Sequence, residues 1–193
     1  MIRIATEADI PAILSIYAPY VLTSTATFEY DVPSPEDFSA RFAAITAQFP
    51  WLVWEEDGQI LGYAYASPPY TRAAYAWCAE PSVYIWPQAQ GRGLGTKLYA
   101  ALEAILRYQG YQVLSALITQ EYAPTLAFHA RCGYAVRVLF PDCGFKFGRW
   151  LGLYWLEKRL TSVEIPSKAP DSWSSIRYDA QKISDILDIL PLS

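Results

Sequence analysis

Residues 79–98 constrain this chain more than any other stretch: Ala79-Glu80-Pro81-Ser82-Val83-Tyr84-Ile85-Trp86-Pro87-Gln88-Ala89-Gln90-Gly91-Arg92-Gly93-Leu94-Gly95-Thr96-Lys97-Leu98. Val83, Tyr84 and Ile85 favour a strand, and Pro87 ends it. From Leu94 the apolar residues Leu94, Leu98, Ala101, Leu102, Ile105 and Leu106 recur at helical spacing. The turn between them is rich in glycine. Glycines let the backbone approach a ligand closely, and the unpaired N–H groups of a new helix face outward at its positive dipole end. The run therefore predicts a strand, a turn and a helix that hold an anion, with a phosphate the expected one. A plain tight turn is the competing reading. Glu80, near the start of the strand, falls within reach of whatever the phosphate carries.

Two familiar phosphate loops do not fit. A P-loop carries Lys and then Ser or Thr after its last glycine, whereas Gly95 is followed by Thr96-Lys97. A dinucleotide turn needs G-x-G-x-x-G, and here the glycines read G-x-G-x-G. The formal charge of −4 argues against general nucleic-acid binding, which needs a basic footprint. Cys78, Cys132 and Cys143 have no metal-like spacing, and His129 is the only histidine, so no metal site is expected. No run approaches the ~20 apolar residues of a membrane span. The chain enters a strand pattern at Met1-Ile2-Arg3-Ile4 without the apolar core of a signal peptide, which makes a reduced, cytoplasmic protein the expectation.

At 193 residues the chain suits one domain with a proper core. Ile2 to Ala5 predicts a strand, and Thr6 with Asp9 a helix start. Ser34-Pro35-Glu36-Asp37 opens a second helix with a cap, a Pro in the first turn and acids at the dipole's positive end. Trp51–Glu56 and Gln59–Ser67 flank Asp57-Gly58, a hairpin signal. Further strands are predicted at Val113–Thr119, from Tyr134 through Phe140, and at Trp150–Leu160, with a short helix at Pro124–Arg131. The order gives an α/β (α+β) fold: a mixed, mostly antiparallel sheet with helices on both faces. Residues 1–160 read as the domain. Residues 161–193 read as a Pro/Ser/Asp-rich linker and a short amphipathic helix striped by Ile183, Ile186, Leu187, Ile189 and Leu190.

Gln88 to Gly95 resembles the Q/R-x-x-G-x-G/A pyrophosphate loop of the GNAT superfamily of N-acetyltransferases, whose fold is the acyl-CoA N-acyltransferase fold. The resemblance spans residues 2–160 and points to the phosphinothricin and methionine sulfoximine acetyltransferase branch. It rests on Arg3-Ile4-Ala5-Thr6-Glu7-Ala8-Asp9, Thr23-Ser24-Thr25-Ala26-Thr27-Phe28 and Phe49-Pro50-Trp51-Leu52-Val53. It continues in Gly62-Tyr63-Ala64-Tyr65-Ala66, Arg72-Ala73-Ala74-Tyr75-Ala76-Trp77, Glu80-Pro81-Ser82-Val83-Tyr84 and Gly144-Phe145-Lys146-Phe147-Gly148-Arg149-Trp150.

The resemblance implies acetyl-CoA as co-substrate and a small amino-acid-like amine as acceptor. Backbone groups of Val83, Tyr84 and Ile85 are expected along the acetyl and pantetheine arm. Gln90, Gly91, Arg92, Gly93, Leu94, Gly95 and Thr96 are expected at the pyrophosphate. Glu80 takes the general base's place, acting through a water; an ion pair with Arg72 is its structural alternative. His129 takes the place of the acid that protonates the leaving thiolate, beside the alternative of a packed core histidine. Phe28, Arg72, Tyr75, Trp77 and Tyr84 are the implied acceptor pocket, with Arg72 suited to grip a carboxylate bidentately. Homodimers are typical of the branch. Tyr122 replaces the superfamily's usual Asn, Gly152 replaces an Asp, and the branch's basic residue near Tyr70 is absent. A polyamine or protein N-terminus as acceptor, and a non-catalytic acetyl-CoA sensor, are the other readings.

Overall fold

The computed structural model describes residues 1–121, 123–162 and 165–188. Seven strands form one sheet: β1 (Ile2–Ile4), β2 (Trp51–Glu56), β3 (Gln59–Ser67), β4 (Cys78–Ile85), β5 (Val113–Thr119), β6 (Ala135–Lys146) and β7 (Arg149–Arg159), in the order β1-β2-β3-β4-β5-β7-β6. Every neighbouring pair is antiparallel except β4 and β5. The helices are α1 (Ile10–Thr23), α2 (Pro35–Gln48), α3 (Leu94–Gln109), α4 (Ala123–Arg131), α5 (Trp173–Ile176) and α6 (Ala180–Asp188). The mixed sheet expected from the order of elements is the one observed.

Strand alternation splits the core in two. Trp51 and Val53 of β2 and Tyr63 of β3 pack under α1 and α2 against Ile13, Ile16, Tyr17, Phe38 and Phe42. Leu52 and Ala64, one residue out of phase, face α3 and join Leu98, Leu102, Ile105 and Leu106. The Asp57-Gly58 turn takes positive φ at both residues, 50° and 77°, as a tight hairpin of this hand requires. Ser34 caps α2 by accepting the Asp37 N–H at 3.1 Å.

Strand β6 runs on to Lys146, past the expected end at Phe140. Pro141-Asp142 looks like a terminator, but a bulge between Phe140 and Gly144 absorbs it, with Asp142 at φ 49°. A turn of helix also stands at Trp173–Ile176, within residues that read as linker. Trp173 and Ile183 are buried in the α3-side core, with Ile186 and Leu187 packed against it. Two bonds pin the approach: the Asp171 backbone N–H donates to Gln109 O at 2.8 Å, and the Gln109 side-chain Nε2 donates to Asp171 O at 2.8 Å. The amphipathic stripe thus lies on its own chain as far as it is described; Ile189 and Leu190 lie outside the described residues.

Candidate active site

Strands β4 and β5 pair only at Cys78↔Val113 and Ala79↔Leu114, then part. The parting opens a cleft of about 490 Å³ between them. Its walls are Glu80 to Ile85, Ala116 to Thr119, the loop residues Gln90, Gly91 and Gly93, the first turn of α3, and α4 through Phe128 and His129. Gly91 and Gly93 have φ of 78° and 77°, and a Cβ on either would meet nothing within 4 Å. The loop therefore needs glycine for its backbone shape and leaves open space beside it. Gly93 caps α3, so the N–H groups of Leu94, Gly95 and Thr96 start a helix with no earlier carbonyl to bond. Such donors at a dipole's positive end suit a diphosphate.

Alternation along β4 decides which backbone groups face the cleft. Trp86 N–H donates to Leu61 O at 2.8 Å across the β3 side. Val83 and Ile85, one residue out of phase, turn their N–H groups toward the cleft, whereas the N–H of Tyr84 turns to β3. Pro81 O accepts the Tyr99 hydroxyl at 2.9 Å. The Tyr20 hydroxyl donates to Ile85 O at 2.6 Å and accepts Ile85 N–H at 3.3 Å. Gln90 Nε2 donates to the same hydroxyl at 2.9 Å. Val83 is left between two engaged neighbours as the open backbone position. The Tyr84 ring stays in the wall, edge-on to Tyr17 and Tyr20 at 5.0 and 5.1 Å.

The Glu80 carboxyl is half-buried, and burial alone pushes its pKa up. Among the described ion pairs none joins it to Arg72. Its environment thus favours a proton more than water does. His129 is buried, with Nδ1 2.8 Å from Thr125 O and Nε2 3.1 Å from the Tyr99 hydroxyl. A carbonyl only accepts, so Nδ1 carries the hydrogen. Burial pulls the His129 pKa down, which leaves Nε2 bare in the neutral ring. The single Tyr99 hydrogen then has two acceptors, Pro81 O and His129 Nε2, whereas an imidazolium would satisfy all three contacts. Burial thus favours the neutral ring, while the hydrogen-bond geometry around Tyr99 suits the imidazolium better.

The remaining implied residues lie outside the cleft lining. The Phe28 ring packs so closely on Gly144 that a Cβ there would stand 2.1 Å from it. Arg72 is exposed and caps a single turn, Ala73–Tyr75, with no ion pair among the described residues. The Tyr75 ring lies 4.4 Å from that of Tyr70, which stacks on Trp155 at 5.8 Å. Trp77 Nε1 donates to Lys168 O at 3.0 Å, so its polar edge is spent on the C-terminal segment. Arg92 forms an ion pair with Glu56 at 2.6 Å. Beside Gly152 stands Gln120 Oε1, 2.7 Å from where a Cβ would lie, so the carboxamide takes the space an Asp there would claim. Tyr122 lies outside the described residues. Sequence reading missed Tyr20, Tyr99 and Lys146; of these only Lys146, a charge between Phe145 and Phe147, carries a visible signal.

Among the described residues no three His, Cys, Asp or Glu side chains gather to hold a metal, and no helix is long and apolar enough to cross a membrane. The model of the acetyltransferase (GNAT) domain matches residues 2–155. A phosphinothricin N-acetyltransferase of Alcaligenes faecalis is 38% identical over 165 residues, covering 83% of each chain. The L-methionine sulfoximine/L-methionine sulfone acetyltransferase of Salmonella typhimurium is 34% identical, over 86% of this chain and 97% of its own. The crystal structure of a phosphinothricin acetyltransferase from Sinorhizobium meliloti with acetyl-CoA superposes with a TM-score of 0.83 at 33% identity, over 88% of this chain and 94% of that one. With the parted strands, the glycine loop and these relatives agreeing, the chain belongs to the GNAT acetyltransferases.

Proposed function

We propose that the protein transfers acetyl from acetyl-CoA to the amino group of a small amino-acid-like acceptor of the phosphinothricin, methionine sulfoximine or methionine sulfone type. The observation that carries this reading is Glu80, a half-buried carboxyl raised in pKa by burial, in the cleft that the glycine loop closes. Relatives acting on such acceptors support the acceptor class. Acetyl-CoA, when bound, supplies the activated acyl group. The N–H groups of Leu94, Gly95 and Thr96 and the backbone at Gly91 and Gly93 hold its diphosphate, and Val83 bonds its arm.

Glu80 takes a proton from the acceptor's ammonium through a water, a task that suits a carboxyl lifted toward neutral pH. His129 takes the acid's place for the departing thiolate through the Tyr99 hydroxyl, which carries the hydrogen shared with Nε2 of the neutral ring. Arg72 grips the acceptor carboxylate, and Phe28, Tyr75, Trp77 and Tyr84 wall its side chain. The chain works as a homodimer in the cytoplasm. Three free cysteines suit that compartment. The apolar edge of β6, with Val136 and Phe140 exposed, suits a contact with a second copy.

The test is free-thiol release from acetyl-CoA against phosphinothricin, methionine sulfoximine, methionine sulfone, ordinary amino acids, spermidine and a short peptide. Turnover confined to the amino-acid analogues supports the reading; turnover of spermidine or the peptide alone overturns it. Because the branch's basic residue near Tyr70 is absent from this sequence, methionine sulfone is expected to show a higher kcat/KM than phosphinothricin.

A further inference from the structure

Lys146, at the end of β6, is 1% exposed. Its Nζ donates to Val21 O at 2.8 Å, Ser24 O at 2.9 Å and Thr27 O at 2.8 Å. An ammonium has three N–H groups, and three carbonyl oxygens take them; a neutral amine would turn a lone pair on one of the three. Val21 and Ser24 belong to the C-terminal end of α1, where orphan carbonyls and the negative end of the dipole favour a cation. Thr27 lies beyond the helix. One charge therefore ties the end of α1 to the loop that follows it.

Other contacts bind the same loop to the same end of β6. Phe28 lies on Gly144, and the Tyr30 hydroxyl donates to Phe145 O. Thr25 Oγ1 stands 3.2 Å from Thr119 Oγ1, and both Thr119 and Ala26 belong to or border the cleft wall. A buried ammonium is a costly way to fill space, and an apolar side chain of similar length would fill it at lower cost. What the ammonium adds is three fixed directions.

We propose that Lys146 is a positioning residue for the acceptor: it fixes residues 24–28 at the mouth of the cleft so that the loop, with Phe28, forms the acceptor-side wall. The proposal rests on the amino-acid acetyltransferase reading above. It is tested with Lys146→Met and, because that variant loses a buried network, with Gly144→Ala, which displaces Phe28 while keeping the ammonium. Wild type and variants are compared for acceptor KM and kcat with methionine sulfone, for acetyl-CoA Kd, and for amide exchange at residues 24–28.

Each folded variant is expected to raise acceptor KM about tenfold. The acetyl-CoA Kd stays within about twofold, and exchange at 24–28 quickens while α3 stays protected. An unchanged acceptor KM in a folded variant beside an active wild type overturns this proposal alone. A parallel loss of acetyl-CoA affinity also overturns it, by showing a general structural role. Wild-type inactivity on every amine of the panel overturns the functional reading and takes this one with it.

Discussion

The Tyr20 hydroxyl closes on both backbone groups of Ile85, donating to its oxygen at 2.6 Å and accepting its N–H at 3.3 Å. A residue of α1 thereby completes the edge of β4 at the point where β5 has turned away. Gln90, the residue before the glycine loop, bonds to the same hydroxyl. Tyr20→Phe removes all three contacts while keeping the ring against Tyr84. A loss of about 1–2 kcal/mol in stability is expected from the groups left unpaired. The acetyl-CoA KM should rise several-fold, because the loop loses its anchor. Urea melts and initial rates at varied acetyl-CoA check both; unchanged KM would detach Tyr20 from the loop.

Glu80 couples stability and activity to pH in opposite senses. Its folded pKa is raised by burial. The folded state therefore holds that proton more tightly than the unfolded chain does. The stability this contributes is complete below the unfolded value near 4.5 and is lost as pH rises through the folded pKa. Glu80→Gln should accordingly melt higher than wild type at pH 7.5, with the gap shrinking below pH 4.5. Activity moves the other way. A base must be deprotonated to act, so wild-type kcat/KM climbs as pH passes the raised pKa. The variant should lose that limb and about 100-fold or more in kcat, with acetyl-CoA Kd little changed. A variant with full activity would remove Glu80 from the chemistry.

Gly93 caps α3 at φ 77° with open space beside it. Gly93→Ala meets no neighbour, so its cost is the left-handed backbone, about 1–2 kcal/mol. Open space in the free protein is where the loop would meet a diphosphate. Acetyl-CoA affinity should therefore fall by more than the stability loss accounts for, while Gly58→Ala, also at φ 77° with open space but in the β2–β3 turn, should leave affinity alone. Calorimetric titration of both variants separates strain from lost approach.

The elements around this loop are legible because they are local: strand formers, glycines and a 3.6-residue stripe lie within twenty or so positions. Hairpin, caps and the tail's amphipathic face are legible for the same reason. What cannot be read is which distant group a polar side chain finds. Trp77 looks like a pocket wall, yet its indole N–H goes to Lys168 O, 91 residues away. Lys146 stands out as a lysine between Phe145 and Phe147, yet nothing local names its partners, carbonyls 119 to 125 residues earlier. The bulge that carries β6 past Pro141-Asp142 is of the same kind, because β7 and not the local residues decides where pairing resumes. Trp173 anchors a stretch whose Pro, Ser and Asp content otherwise reads as linker.

Arg72 is a case where exposure is informative. It stands on the turn before β4 with no carboxylate bound to it among the described residues, six residues ahead of Cys78, where the strand that carries Glu80 begins. A guanidinium left free there can take a carboxylate through two parallel N–H bonds, worth about 1.5–3 kcal/mol. Arg72→Ala should then raise the KM for methionine sulfone by about 10–100-fold with a smaller change in kcat. The control is the carboxamide of the same substrate, which offers no anion. Wild type should use it poorly, and the substitution should cost it little. Equal losses on acid and amide would mean that Arg72 supports the turn rather than the substrate, and the carboxylate's partner would have to be sought elsewhere along the mouth of the cleft.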